Sequence, residues 1–222
     1  MRSRYTAWTA LLGVAVFWTS VPAGANDDAR LLAQRGQLLE DQGAHEAALA
    51  AFTQAIALNA LPPIEQAQLL YARGVVLDVE GQLSGALDDY SAAIRLAPGF
   101  APAFNNRANL YRRQNRLSEA KRDYRASLAA GNSQPEYPWY GLGEIAEAQG
   151  DRTSARQDYS RAVAANPAYQ PALDRLAAFG GSPPLALLPA PIHLRPPQAK
   201  SVPEPAVPPE HLAARVAMAS AP

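Results

Sequence analysis

Four times between residues 36 and 162 the chain repeats one set of landmarks, and that recurrence limits its fold more than any other feature. Small residues stand at Gly36, Gly74, Ala108 and Gly143, and alanines at Ala48, Ala86, Ala120 and Ala155; both series advance by 38, 34 and 35 residues. An aromatic follows each alanine by four (Phe52, Tyr90, Tyr124, Tyr159), and a small residue comes three later (Ala55, Ala93, Ser127, Ala162). Steps of four and three trace one face of an α-helix, so each unit reads as two antiparallel helices. The first helix buries a stripe such as Leu70, Gly74 and Leu77; the second buries Ala86, Tyr90 and Ala93. A glycine inside a helix costs about 1 kcal/mol against alanine, so it implies a close approach, with Ala86 the expected neighbour of Gly74. Gly43, Gly81, Asn115 and Gly150 fall between the helices and suit the left-handed turn that ends the first. Ser84, Ser118 and Thr153 are the expected caps of the second. Pro98 and Pro167 close two units; Ala60 and Asn132 stand in that place in the others.

These residues resemble the tetratricopeptide repeat, a helix-turn-helix unit of about 34 residues. The fourth copy carries the fullest set: Trp139, Leu142, Gly143 and Ala146, then Ala155, Tyr159, Ala162 and Pro167. The resemblance covers 29–62, 67–100, 101–134 and 136–169. Pro63 to Gln66 reads as a longer first junction, Pro135 adds to the third, and Arg35, Arg73 and Arg107 replace the usual leucine. The implied fold is all-α: a right-handed α-solenoid of four repeats. Tyr169 to Phe179 reads as a capping helix (170–180), with Leu173, Leu176 and Ala177 on its buried side, because a solenoid must cover its last apolar face. The solenoid is expected to occupy 26–180.

Both ends change character. Arg2 and Arg4, the short apolar stretch Ala10 to Trp18, and the small residues Ala23-Gly24-Ala25 form a signal-peptide pattern over 1–25, with cleavage expected after Ala25 and a periplasmic destination. The apolar stretch is shorter than the roughly 20 residues of a membrane span, so membrane attachment is expected only if the segment stays uncleaved. Eleven of the twenty prolines lie beyond Gly181, so 181–222 reads as an extended, disordered tail.

Chemistry is sparse. With no cysteine there is no disulfide, thiolate metal site or cysteine nucleophile. Of three histidines, His193 and His211 lie in the tail, and His45, beside Glu46, reads as a solvated turn residue. Asp88 and Asp89 read as ordinary surface carboxylates, and no phosphate loop or nucleophile elbow occurs. The chain is therefore expected to be no enzyme, with no cofactor and no metal. Formal net charge is zero, which argues against a nucleic-acid partner. The local basic run from Arg107 through Arg112, Arg113, Arg116, Lys121, Arg122 and Arg125 is interrupted by Glu119 and Asp123, and reads as a solvated side of one repeat.

Function is expected in the groove. The resemblance implies that the first helices line a concave surface, exposing Gln34 and Gln37; Tyr71, Val75 and Asp78; Asn105, Asn106, Asn109 and Arg112; and Tyr137, Tyr140 and Glu144. Amides offer both donors and an acceptor to an extended peptide, and tyrosines add rigid apolar area with a polar tip. Family members that clamp a C-terminal carboxylate use a lysine where this chain has Tyr71, so a dedicated clamp is not expected. The reading is an adaptor of the bacterial envelope that binds a protein or peptide partner. The alternatives are a self-assembling scaffold, through an uncapped end near residue 29, and an N-terminally anchored envelope assembly factor. Tyr140→Ala, or Asn106 and Asn109 changed together to Ala, is expected to weaken capture by about 1–2 kcal/mol and leave the fold intact.

Overall fold

A computed structural model describes residues 24–180; the N-terminal targeting pattern before Gly24 and the proline-rich tail lie outside the described residues. These residues hold nine α-helices and no strand: α1 Ala25–Asp41, α2 His45–Leu58, α3 Pro63–Val79, α4 Leu83–Leu96, α5 Ala101–Arg113, α6 Leu117–Ala129, α7 Glu136–Ala148, α8 Arg152–Ala165 and α9 Gln170–Ala178. Each helix packs on its neighbours in sequence, and first helices also meet across repeats, α1 with α3 and α5 with α7. This is an all-α tetratricopeptide-type solenoid, as the repeat predicts.

The local chemistry that ends the helices is partly as expected. Gly43, Gly81, Asn115 and Gly150 all have positive φ. Asn59 and Gly131 do as well, just after α2 and α6, the two second helices with no proline at the repeat's closing position. The expected caps are wrong. Ser84, Ser118 and Thr153 sit one residue inside their helices; α4 and α6 start from Gln82 and Arg116 without a side-chain cap, and Asp151 caps α8 by accepting from the Ser154 N–H. Pro63 to Gln66 is not a junction but the first turn of α3, with Pro63 in the first helical position, where its missing N–H costs nothing.

The core is the landmark set. Ala48, Ala86, Ala120 and Ala155 are wholly buried, as are the rings of Phe52, Tyr90, Tyr124 and Tyr159. The glycines accommodate those rings, not the alanines expected to meet them. A Cβ on Gly36 would sit 2.5 Å from the Phe52 ring, one on Gly74 2.8 Å from Tyr90, and one on Gly143 2.6 Å from Tyr159. In the third repeat Ala108 fills the space, and Tyr124 reaches instead to α7, where only Gly141 leaves room for its ring and hydroxyl. Ser127, buried where the other repeats have alanine, donates to the Ala101 carbonyl and accepts from Asn132 Nδ2. Val76 and Leu69 bury more deeply than the predicted Leu77.

Two buried ion pairs fix the register between the helices of repeats two and three. Arg73 bonds both oxygens of Asp89 at 2.7 Å and reaches Thr53 of the preceding repeat; Arg107 bonds Asp123 and reaches Ser91 in the same way. Asp89 is therefore no surface carboxylate; only Asp88 is exposed. His45 likewise is not a free turn residue, since its Nδ1 lies 2.6 Å from Glu80 of the next repeat.

The two ends differ. In α9, Leu176 is buried and Leu173 packs on the core as expected, but Ala172 rather than the exposed Ala177 completes the covered side. Phe179 packs against the Tyr159 ring beneath the Arg152 guanidinium. At the other end Leu31 and Leu38 of α1 are 66% and 57% exposed, while their counterparts Leu69 and Val76, which meet a preceding repeat, are buried.

Candidate functional site

The first helices α3, α5 and α7 line two adjoining cavities that share Asn106, Asn109 and Tyr137. The smaller, about 330 Å³, is uncharged: Tyr71, Asn105, Asn132 and Gln134 complete its polar wall. The larger, about 410 Å³, adds Asp78, Arg112, Arg113, Tyr140, Glu144 and Tyr169. Together they make one trough across three repeats. A separate cavity of about 340 Å³ between α1 and α3 holds Gln34 and Gln37 over Phe52, Leu61 and Leu69.

Nine of the twelve expected groove residues thus meet in the trough: Tyr71, Asp78, Asn105, Asn106, Asn109, Arg112, Tyr137, Tyr140 and Glu144; Gln34 and Gln37 lie in the separate cavity. Val75 lies in neither; it packs on the core around Tyr90 and Leu110. Sequence reasoning missed Arg113, Gly141 and Tyr169, and also Pro102, Asn132, Ser133 and Gln134 of the smaller cavity. In the sequence Arg113 falls within the basic run, and Gly141 carries no helix-period signal. Tyr169 lies just before α9 and reaches back over α7 to stack edge-on against Tyr137 and Tyr140, at 5.4 and 5.6 Å between centroids.

The trough is more knitted together than the sequence implied. Asn106 Nδ2 donates to the Tyr71 hydroxyl at 3.1 Å, and the Tyr124 hydroxyl donates to Asn109 Oδ1. Tyr140 tilts against the buried Tyr159 ring. Changing Tyr140 or the asparagines would therefore disturb internal contacts, contrary to the expectation that the fold would not notice. Tyr137, 43% exposed, offers the freest ring.

Charges alternate along the trough. Arg112 pairs with Glu144 at 3.1 Å, and Arg113 reaches back to Asp78 at 2.7 Å. The basic run is thus divided among partners, with Arg116 on Glu119 and Lys121 on Gln149. Burial lifts Glu144 above the ordinary carboxylate range despite the adjacent Arg112. Burial also raises Tyr71 and Tyr124, and pushes Tyr169 up to about 12. Among the described residues no group of three His, Asp or Glu side chains is placed to hold a metal ion, and no helix is long and apolar enough to cross a membrane.

Comparison with known proteins follows this geometry. The tetratricopeptide repeat profile matches residues 24–99 and 105–170. The chain is similar to tetratricopeptide repeat protein 36 of Bos taurus, 34% identical over 103 residues, which is 45% of this chain and 55% of that protein. The match thus spans about half of that relative's length. Among solved structures, YrrB, described as having an unusual peptide-binding site, superposes with a TM-score of 0.57 at 19% identity, over 66% of this chain and 73% of YrrB. The first repeat domain of Spaghetti, bound to the HSP90 peptide SRMEEVD, gives a TM-score of 0.51 at 22% identity, over 56% and 95%.

Proposed function

This chain belongs to the tetratricopeptide repeat family, and from that premise we propose that it is a non-catalytic adaptor holding an extended segment of a partner protein in the trough of α3, α5 and α7. The observation that carries the reading is the trough itself. It runs continuously across three repeats and is walled by amides and tyrosines rather than by a closed apolar pocket. Such a surface reads backbone amides and carbonyls while its aromatic rings exclude water. Similarity in fold to structures described as peptide-binding supports the same use. Tyr137→Ala is the cleanest test, because it removes an exposed ring without touching an internal hydrogen bond. With the captured partner's segment as a synthetic peptide, the change should weaken binding by about 1–2 kcal/mol, read by titration calorimetry. Equal affinity in the variant would remove the trough from the account.

Export to the periplasm is part of the proposal and rests on Arg2, Arg4, the apolar stretch and Ala23-Gly24-Ala25. Expression in a Gram-negative host followed by intact-mass measurement tests it: mature protein should begin at Asn26, whereas a retained N-terminus in the membrane fraction would favour the anchored alternative.

One observation favours a second reading, self-association. Leu31 and Leu38 lie bare on α1 where every later repeat is covered by its predecessor. Light scattering across a concentration series separates the two, since an adaptor stays small and a scaffold grows. Leu31→Glu should abolish that growth.

A further inference from the structure

Ala33, Tyr71, Asn105 and Tyr140 stand three residues before the landmarks Gly36, Gly74, Ala108 and Gly143, so they hold one position in the four repeats. In the second repeat that position lays a ring on the core: Tyr71 tilts at 41° against Tyr90, with 5.8 Å between centroids. The fourth repeat builds the same stack, Tyr140 on Tyr159 at 44° and 5.4 Å. Each of these tyrosines also meets, edge-on, the aromatic that precedes the next odd-numbered helix. Phe100, before α5, lies 5.3 Å from Tyr71, and Tyr169, before α9, lies 5.6 Å from Tyr140. In the third repeat Asn105 takes the place, and Tyr124 turns its ring to Gly141 of α7 instead.

The first repeat keeps the lower ring, since Phe52 holds the place of Tyr90 and Tyr159, but Ala33 puts only a methyl group above it. The cavity of about 340 Å³ between α1 and α3 lies over this spot. Phe52 and Leu69, both buried, form its floor, and the half-buried Ala33, Leu61 and Ala72 form its walls. Its two charged lining residues, Arg30 and Glu65, are bonded to each other at 2.8 and 3.0 Å, so charge gives an occupant no preference.

We infer that this cavity is a subsite for an aromatic side chain of the bound segment, which supplies from outside the ring that Tyr71 and Tyr140 supply within their own repeats. The inference rests on the reading of the trough as a partner-binding surface. Ala33, Gln34 and Gln37 hold on α1 the positions that Tyr71 holds on α3 and Asn106 and Asn109 on α5, so the cavity continues the trough along one face. A ring entering here stacks on Phe52 and buries its apolar area against Leu61 and Leu69, and aromatic pairs gain beyond that area through their geometry. An aliphatic side chain gains the area without the stack. An acidic one meets an apolar floor and a guanidinium that Glu65 already holds.

The test uses the full chain, immobilised, and four pools of twelve-residue peptides. That length suffices because α1 to α7, at about 10 Å per first helix, is spanned by about nine extended residues. One residue is fixed as Phe, Leu, Glu or Ala, at the second position in half of each pool and at the eleventh in the other half, so that both chain directions are represented. The remaining positions are degenerate in Ala, Ser, Thr and Gln. The Phe pool should be captured about tenfold above the Ala pool, with Leu between them and Glu no better than Ala. Ala33→Tyr fills the cavity from within and should erase the Phe preference while melting at or above the parent temperature. Ala72→Gln puts there an amide such as Gln34 and Asn106 carry at the equivalent position, and by narrowing the cavity it should reduce the preference. Tyr137→Ala should lower all four pools alike. Equal capture of the Phe and Ala pools, still sensitive to Tyr137→Ala, would overturn the aromatic subsite while the trough stands. A Leu or Glu pool equal to the Phe pool would overturn it too, as would a Phe preference undiminished in both cavity variants, which would seat the ring elsewhere. Capture of no pool above a blank surface would remove subsite and trough together.

Discussion

Gly143 shows how single residues set this fold. Its hydrogen occupies the space in which any larger group meets the buried Tyr159 ring, 2.6 Å from where a Cβ would stand. Gly143→Leu should therefore cost about 1–3 kcal/mol by overpacking, seen as a lower urea midpoint, despite leucine's better helix propensity. A variant as stable as the parent would mean that the ring yields. That these glycines accommodate aromatic rings was only half legible: the spacing of 16 to the aromatic was in the sequence, but whether ring or backbone fills the gap depends on the distance between helix axes. The same tyrosines give a pH dependence. Tyr90, Tyr159 and Tyr169 are all raised by burial, Tyr169 to about 12, while the unfolded chain ionises near the ordinary value of about 10. Above that value the unfolded state has lost protons that the folded state keeps, so stability falls as pH rises. Thermal melts should hold steady from neutral to mildly alkaline pH and drop beyond about 10, with tyrosinate absorbance appearing together with unfolding. In a Tyr137→Phe background, tyrosinate absorbance from Tyr90, Tyr159 or Tyr169 in the folded baseline would contradict the burial account.

At the scale of elements, boundaries and caps were the least legible part. Serine and threonine were natural candidates for caps, yet a helix that follows a left-handed residue immediately can start without a side-chain cap, as α4 and α6 do after Gly81 and Asn115. The extra turn of α3 looked like a linker because Pro62 and Pro63 read as a break, whereas proline in a first turn is permitted. Charges were misjudged for a related reason. Asp89 and Asp123 look like surface residues until the arginines 16 positions earlier are seen to face them across a repeat. The capping role of α9 was readable from its apolar spacing, though not that Ala172 rather than Ala177 completes its buried face. Leu176 is its deepest large contact, packed with Tyr159 and Val163. Leu176→Ala should cost about 2–4 kcal/mol and should loosen α7 and α8 first in hydrogen exchange, because each repeat is braced only by its neighbours. Uniform loosening along all nine helices would instead show a single cooperative unit.

At the scale of the molecule, nine of the twelve groove residues came together because they share positions on successive first helices, and periodicity alone specifies that. Val75 failed because its side chain turns one step toward the Tyr90 core. Tyr169 was hidden because it enters the trough from beyond the fourth repeat, a relation that depends on the angle between elements rather than on spacing within one repeat, and Arg113 because, at the end of α5, it shows its pairing with Asp78 only once α3 and α5 are packed. The central claim is that a partner segment lies across α3, α5 and α7. It is tested most directly by placing a photo-reactive benzoylphenylalanine at Tyr137, in the trough, and in a second protein at Arg122, which is 71% exposed on the second helix α6. After irradiation in the native host, the account predicts a discrete partner adduct from position 137 and none from position 122. An adduct from position 122 alone, or the same adduct from both, would place the partner elsewhere and contradict it.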